Sequence, residues 1–141
     1  MFRAESKIRV RYAETDQMNV VYHGNYAAYF ESARTEAIRE LGFTYKELEA
    51  MGVIMPIVEL HCKYLRPAHY DDLLTVKVEL RELTGNHRIE FHHEVINDQG
   101  KLLTIGRVVL YFLVASTKER CNIPEEFKNR LQPFFEPVAE H

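Results

Sequence analysis

The hydrophobic and polar positions change period several times along the chain, and each change marks an element. Ile8, Val10 and Tyr12 alternate with Lys7, Arg9 and Arg11, a period of two that predicts a half-exposed strand. Ala13 to Asn19 carries polar side chains with no period, which predicts a loop. From about Gly24 to Leu41 the period lengthens. Tyr26, Tyr29, Phe30, Ala33, Ala37 and Leu41 fall on one helical stripe, with Glu31, Arg34, Glu36 and Arg39 away from it. Asn25 is the expected N-cap of this helix and Gly42 its stop. Its first turns, Tyr26-Ala27-Ala28-Tyr29-Phe30, are apolar nearly all round, so other elements should enclose them. Thr44 and Glu47 have capping-box spacing and predict a short second helix ended by Gly52.

The rest reads mainly as strand. Val53 to Leu65 is β-rich, with an edge or bulge expected at Pro56, which cannot donate to a ladder. Leu74, Val76, Val78 and Leu80 alternate with charged or polar neighbours, as do Ile89, Phe91, His93 and Val95. Gly85-Asn86 and Asn97-Asp98-Gln99-Gly100 supply turns. Leu102 to Val114 predicts a last strand buried on both faces. Pro124 suits the first position of a terminal helix reaching Leu131. The order β-α-α-β-β-β-β with hairpin-length turns gives an α+β fold, a mostly antiparallel sheet wrapped on the first helix.

With 141 residues, 46% of them hydrophobic and 28% charged, the chain predicts one domain spanning 1–141. Eighteen Lys and Arg against 21 Asp and Glu leave no basic excess for a phosphate backbone, so a nucleic-acid partner is not expected. The longest apolar run, Val108 to Ala115, is far short of the ~20 residues that span a bilayer. Met1 to Lys7 lacks the apolar stretch of a secretory signal. These features predict a cytoplasmic protein without a membrane span.

Several kinds of chemistry have no motif here. Cys62 and Cys121 are 59 residues apart and form no Cys-x-x-Cys pair. His92 and His93 are adjacent on a strand and point to opposite faces, so they cannot chelate together, and no metal or other cofactor is expected. Gly-x-Ser-x-Gly, Gly-x-Gly-x-x-Gly and Walker loops do not occur. The segment from Tyr12 to Tyr26 remains. It sets carboxylates just before a helix whose first backbone N–H groups lack partners. Those donors favour negative charge and would stabilise an oxyanion formed at a carbonyl carbon. An ionised carboxylate beside such a cradle can transfer an acyl group to water. Asp and Asn in such loops also serve as caps and turn formers, so spacing locates a site without naming its reaction.

The segment Glu14-Thr15-Asp16 and Val20-Val21-Tyr22-His23-Gly24-Asn25-Tyr26 resembles the signature of the 4-hydroxybenzoyl-CoA thioesterase branch of the hotdog fold. The resemblance is strongest to short bacterial acyl-CoA thioesterases of the Tol-Pal cluster. It continues through Ala33-Arg34-Thr35-Glu36 and Tyr64-Leu65-Arg66-Pro67-Ala68-His69-Tyr70-Asp71-Asp72. It implies a curved antiparallel sheet wrapped around a long central helix, and a homodimer or homotetramer with active sites at subunit interfaces. The implied substrate is an acyl-CoA, hydrolysed to free acid and CoA. Asp16 is then the essential carboxylate, as general base or nucleophile, and the backbone N–H near His23 or Gly24 polarises the carbonyl. Tyr22 and Asn25 shape the substrate site, Tyr26 packs in the core, and Glu14 is a structural or surface carboxylate. Lys63 and Arg66 are expected at a basic rim for the CoA phosphates. Many relatives carry glycine where this chain has Met18-Asn19; Asn19 tolerates the left-handed backbone that such a loop needs. An acyl-carrier-protein thioesterase, a non-catalytic acyl-thioester binder and an interaction role with envelope proteins are the alternatives. The five-residue Asp-to-His spacing of the hotdog hydratases is absent, since Asp16 and His23 are seven apart.

Overall fold

Alternation begins earlier than the pattern at 7–12 indicates. In the computed structural model, which describes residues 1–136, strand β1 runs from Phe2 to Arg9. Tyr12 belongs instead to a single 3-10 turn, Tyr12–Glu14, and is 75% exposed. A second 3-10 turn, His23–Asn25, leads into helix α1, Tyr26–Glu40. Asn25 occupies the N-cap position, as expected, but its backbone is already helical and its side chain makes no cap bond. Helix α2, Tyr45–Ala50, is capped as the spacing predicts, with the Thr44 side chain accepting from the Glu47 N–H at 3.1 Å.

Proline at position 56 divides the β-rich stretch into β2, Val53–Ile54, and β3, Ile57–Tyr64, with a register shift between Ile57 and Glu59. Strands β4, Leu73–Leu80, β5, Arg88–Ile96, and β6, Leu102–Tyr111, follow. The expected last strand is also divided. Phe112 leaves the main sheet, and β7, Leu113–Val114, pairs with β2. Helix α3, Glu125–Leu131, begins one residue after Pro124, which occupies the cap.

The main sheet is antiparallel in the order β1-β4-β5-β6-β3. The alternation read in the sequence is seen in the burial: Leu74, Val76, Val78 and Leu80 are buried, as are Ile89, Phe91, His93 and Val95. Their common face receives α1 through Tyr26, Tyr29, Phe30, Ala33, Arg34, Ala37 and Ile38. Register places Ala4, Val78, His93, Gly106 and Cys62 in one row across this face. The Phe30 ring stacks on the His93 ring at 4.6 Å. A Cβ at position 106 would overlap the Phe30 ring, so glycine lets the helix approach the sheet at its centre.

Two expectations for α1 fail. Its first turns are not enclosed on every side, because Ala28 is exposed. Arg34, off the apolar stripe, is 1% exposed. A stripe two residues wide explains the second point, since Phe30, Arg34 and Ile38 form one i, i+4, i+8 ridge packed against the sheet.

Candidate active site

The polar segment before α1 folds as a narrow hairpin. Tyr22 N–H donates to Glu14 O at 2.9 Å, Thr15 and Val21 form an antiparallel bridge, and Asp16 N–H donates to Val20 O at 2.9 Å. Asn19 closes the turn with φ 64 and donates its N–H to Asp16 O at 3.0 Å, so asparagine fills the left-handed position usually given to glycine. Met18 passes through the turn with its side chain 76% exposed. The Asp16 carboxylate is half-buried, and its Oδ1 accepts from Met18 N–H at 2.8 Å. Its Oδ2 has no partner among the described residues. One oxygen thus anchors the side chain and the other is open for chemistry.

Beyond the hairpin, Tyr22 turns the chain into the 3-10 turn. Neither His23 N–H nor Gly24 N–H has an acceptor among the described residues. The His23 carbonyl, which shares a peptide plane with Gly24 N–H, accepts from Tyr26 N–H and from the Tyr64 hydroxyl, the latter at 3.3 Å. That plane is held from its oxygen end, leaving the N–H directed away. The Tyr22 ring lies 4.3 Å from the His23 ring, and a Cβ on Gly24 would meet Tyr22 Cε1 at 2.8 Å. Tyr26 is buried, in the core as expected. Burial and the neighbouring Cys62 push the Tyr64 phenol up to about 12, so it stays a donor at neutral pH.

Asp16, Tyr22, His23, Gly24 and Asn25 are brought together on this one loop and turn. Asn25 donates its amide Nδ2 to Glu14 O at 2.8 Å, which makes it a brace. Lys63 is not brought to the cluster within one chain. It alternates with Tyr64, whose hydroxyl reaches His23, and so projects to the opposite face of β3. Arg66 donates from Nη1 to Leu102 O at 3.1 Å and is exposed.

Along the same face of α1, Ala27 and Ala28 follow Gly24 at helical spacing, and Glu31 follows at seven residues, about 10 Å down the axis. There a cavity of about 520 Å³ opens, lined by Glu31, Arg34, Tyr45, Leu48, Met55 and Leu110 among others. Arg34 Nη1 lies 3.4 Å from His93 Nε2, and His93 Nδ1 lies 3.2 Å from Lys77 O. The carbonyl assigns the ring proton to Nδ1 and makes Nε2 the acceptor for the guanidinium. Arg34 Nε has no partner, and no ion pair reaches the guanidinium among the described residues. Burial pushes its pKa down, and the Tyr45 phenol beside it acts the other way. Sequence reasoning missed this pair. The i, i+4 ridge through Phe30 and the alternation through His93 were the available signals.

No group of three or more His, Cys, Asp or Glu among the described residues is placed to hold a metal ion, and no helix among them is long and apolar enough to cross a membrane.

A long helix laid across an antiparallel sheet is the hotdog fold. The thioesterase superfamily model matches residues 18–104, and the chain belongs to that superfamily. It is 33% identical over 103 residues to the acyl-CoA thioester hydrolase YbgC of Escherichia coli O157:H7, covering 73% of this chain and 76% of that one. A crystal structure of the DHNA-CoA thioesterase from Staphylococcus aureus superposes with a TM-score of 0.88 at 31% identity, over 98% of both chains. The 1,4-dihydroxy-2-naphthoyl-CoA hydrolase of Thermosynechococcus vestitus is 26% identical over 117 residues, covering 82% of this chain and 80% of that one. The protein is a hydrolase of the acyl-CoA thioesterase kind.

Proposed function

We propose that residues 1–141 form one cytoplasmic thioesterase domain of the 4-hydroxybenzoyl-CoA type, with Asp16 as its carboxylate and Gly24 N–H, assisted by His23 N–H, as its oxyanion donor. The observation that carries this reading is the conjunction of an anchored, half-open carboxylate with two unpartnered N–H groups at the entry to α1. A thioester needs little more: its carbonyl lacks strong resonance and its thiolate leaves readily. The carbonyl oxygen sits at Gly24 N–H, which stabilises the charge that develops as water adds. Asp16 takes the proton from that water. Collapse breaks the C–S bond, and the thiolate leaves as CoA with a proton while the acid departs. Asp16 can instead attack the carbonyl itself; the C–S bond breaks, the CoA thiolate leaves, and water opens the resulting anhydride to the free acid and aspartate. Tyr22 borders the reacting group.

The acyl group follows the Gly24, Ala28, Glu31 face into the cavity. An apolar lining with a free carboxylate at one side and a guanidinium at its floor suits a hydroxyaryl group, which donates to Glu31 and accepts from Arg34. The two relatives named for a dihydroxynaphthoyl thioester fit this reading. Benzoyl, hydroxybenzoyl, hydroxynaphthoyl and long aliphatic acyl-CoAs compared by thiol release test it. Hydroxyaryl thioesters should lead in kcat/KM, and Glu31→Ala should cut their advantage over the unhydroxylated ring by about tenfold, the worth of one hydrogen bond to a charged group. An aliphatic lead, unchanged by Glu31→Ala, would place the acyl group elsewhere.

The assembly proposed is a homodimer or homotetramer. Strand β3 is a sheet edge carrying Ile57, Val58, Leu60 and Tyr64 at 43–49% exposure, an edge that a second copy would pair and cover. Lys63 and Arg66 then belong to the basic rim for CoA phosphates at the shared interface. Light scattering should give two or four times 16.6 kDa, and Leu60→Lys should shift the mass to that of a monomer.

A further inference from the structure

We propose that Glu14 is a positioning residue of the thioesterase site, setting the distance between the Asp16 carboxylate and the Gly24 N–H; this rests on the reading of those two groups given above. Asp16 lies on the first arm of the hairpin, whereas Gly24 follows the second arm, which runs straight into the helix and is tied there by Asn25 N–H donating to Tyr22 O at 2.9 Å. The first arm is the one that must be held to the helix. Glu14 holds it from both its ends. Its carboxylate Oε1 accepts from Arg11 N–H at 2.8 Å and from the Tyr29 hydroxyl at 3.1 Å, and its Oε2 pairs with Arg11 Nη2 at 3.3 Å. Its carbonyl oxygen accepts from Tyr22 N–H at 2.9 Å and Asn25 Nδ2 at 2.8 Å. Arg11 just beyond β1, the return arm of the hairpin, the 3-10 turn His23–Asn25 and the first turn of α1 therefore meet on one residue.

The chemistry of this hub sets it apart from a surface ion pair. The Glu14 side chain is 15% exposed, against 80% for Arg11, so the carboxylate is shielded while its partner cation is largely in water. Its inward bond goes to Tyr29, a core residue 3% exposed. Burial, followed by the charge of Glu14 and the bond to it, pushes the Tyr29 phenol well above its usual range, which keeps the hydroxyl proton in place as a donor. Tyr29 is rigid in the helix, so the bond transmits the helix's position to the residue two before Asp16. Loss of the carboxylate leaves the bonds to the Glu14 carbonyl intact, so the loop remains, but its tie to Tyr29 in α1 is lost and its angle to the helix loosens. A displacement of about 1 Å between reacting groups costs roughly 10²-fold in rate.

Steady-state kinetics and thermal unfolding of Glu14→Ala, Glu14→Gln, Tyr29→Phe and Asp16→Asn test this. Glutamine keeps an oxygen that can accept from Arg11 N–H and Tyr29. Expected are a fall in kcat of about 10- to 100-fold for Glu14→Ala with KM within threefold, recovery to within about threefold of wild type for Glu14→Gln, and a smaller loss for Tyr29→Phe. Kinetics normalised to folded protein separate positioning from a merely structural role, which would lower Tm and leave kcat of the folded fraction unchanged. A folded Glu14→Ala enzyme with wild-type kcat overturns the inference. So does a Glu14→Gln enzyme as impaired as Glu14→Ala. If Glu14→Ala does not fold, the Gln and Phe variants decide by the same criteria. An active Asp16→Asn enzyme would instead remove the reading of the site itself, whereas an inactive one beside a fully active Glu14→Ala removes only the role given to Glu14.

Discussion

Replacing Asp16 by asparagine lowers kcat for acyl-CoA hydrolysis by about 10²- to 10⁴-fold, the usual worth of a positioned general base, with the fold intact. The fold survives because the bond that shapes the turn does not require a charge. Asp16 Oδ1 accepts from Met18 N–H, and the asparagine Oδ1 can do the same with the same reach. What disappears is the basicity of the outer oxygen. KM should change little, since the N–H groups of His23 and Gly24 and the cavity at Glu31 belong to other residues. Thiol release, with Tm and mass measured beside it, reads all three. Residual turnover near wild type would exclude Asp16 from the chemistry. A single turnover in ¹⁸O-water then tests the nucleophilic route. Label entering the aspartate carboxylate of the wild-type enzyme requires an anhydride opened at its aspartyl carbonyl, whereas direct attack by water, like opening at the acyl carbonyl, labels the released acid alone.

Much of this site could be read before any coordinates, and the reasons are local. Asn19 was legible because a left-handed residue in a tight turn is a backbone property, and few residue types satisfy it. The polar loop leading into an apolar helix marked an anion-favouring setting, but Asp16 was singled out within it only by the resemblance of Glu14-Thr15-Asp16 to a known signature. The strands β4 and β5 were legible because each has one buried face, which writes a period of two. What failed depended on neighbours distant in the chain. Asn25 looked like a cap until its amide turned out to serve the Glu14 carbonyl, 11 residues away. Arg34 looked solvated because charge is normally a surface signal, whereas His93, on a strand 59 residues later, holds its guanidinium. Tyr12 continued an alternation that no longer had a sheet beneath it. Phe112 interrupts the last strand although its composition is wholly strand-like, since burial of its ring against Phe127 at 6.2 Å comes from α3. Lys63 shows the limit for binding residues: its face of β3 is set by register, and register is fixed by pairing with β6.

The buried pair of His93 and Arg34 makes stability fall in acid, and the sign follows from the direction of the histidine shift. Burial, reinforced by the Arg34 charge, lowers the His93 pKa from 6.5 to about 3, outweighing the carbonyl of Lys77. Above pH 6.5 the ring is neutral in both the folded and unfolded chains and contributes no pH dependence. Below it the unfolded chain takes up a proton that the folded chain refuses, so unfolding is favoured until the folded ring also titrates near pH 3. The slope approaches 1.4 kcal/mol per pH unit, and the full loss is about 5 kcal/mol, a large share of a domain's stability. Glu90 adds to acid loss, because Arg107 and Arg88 outweigh the effect of its burial and hold its pKa down. A difference measurement removes that contribution. His93→Gln can accept from Arg34 and donate to Lys77 O without titrating, so from pH 7 to 4 the urea midpoint of the wild type should fall relative to that of His93→Gln. A wild-type curve parallel to that of His93→Gln would mean that the ring takes up its proton in the fold as readily as in water, and that the Arg34 contact does not hold it neutral.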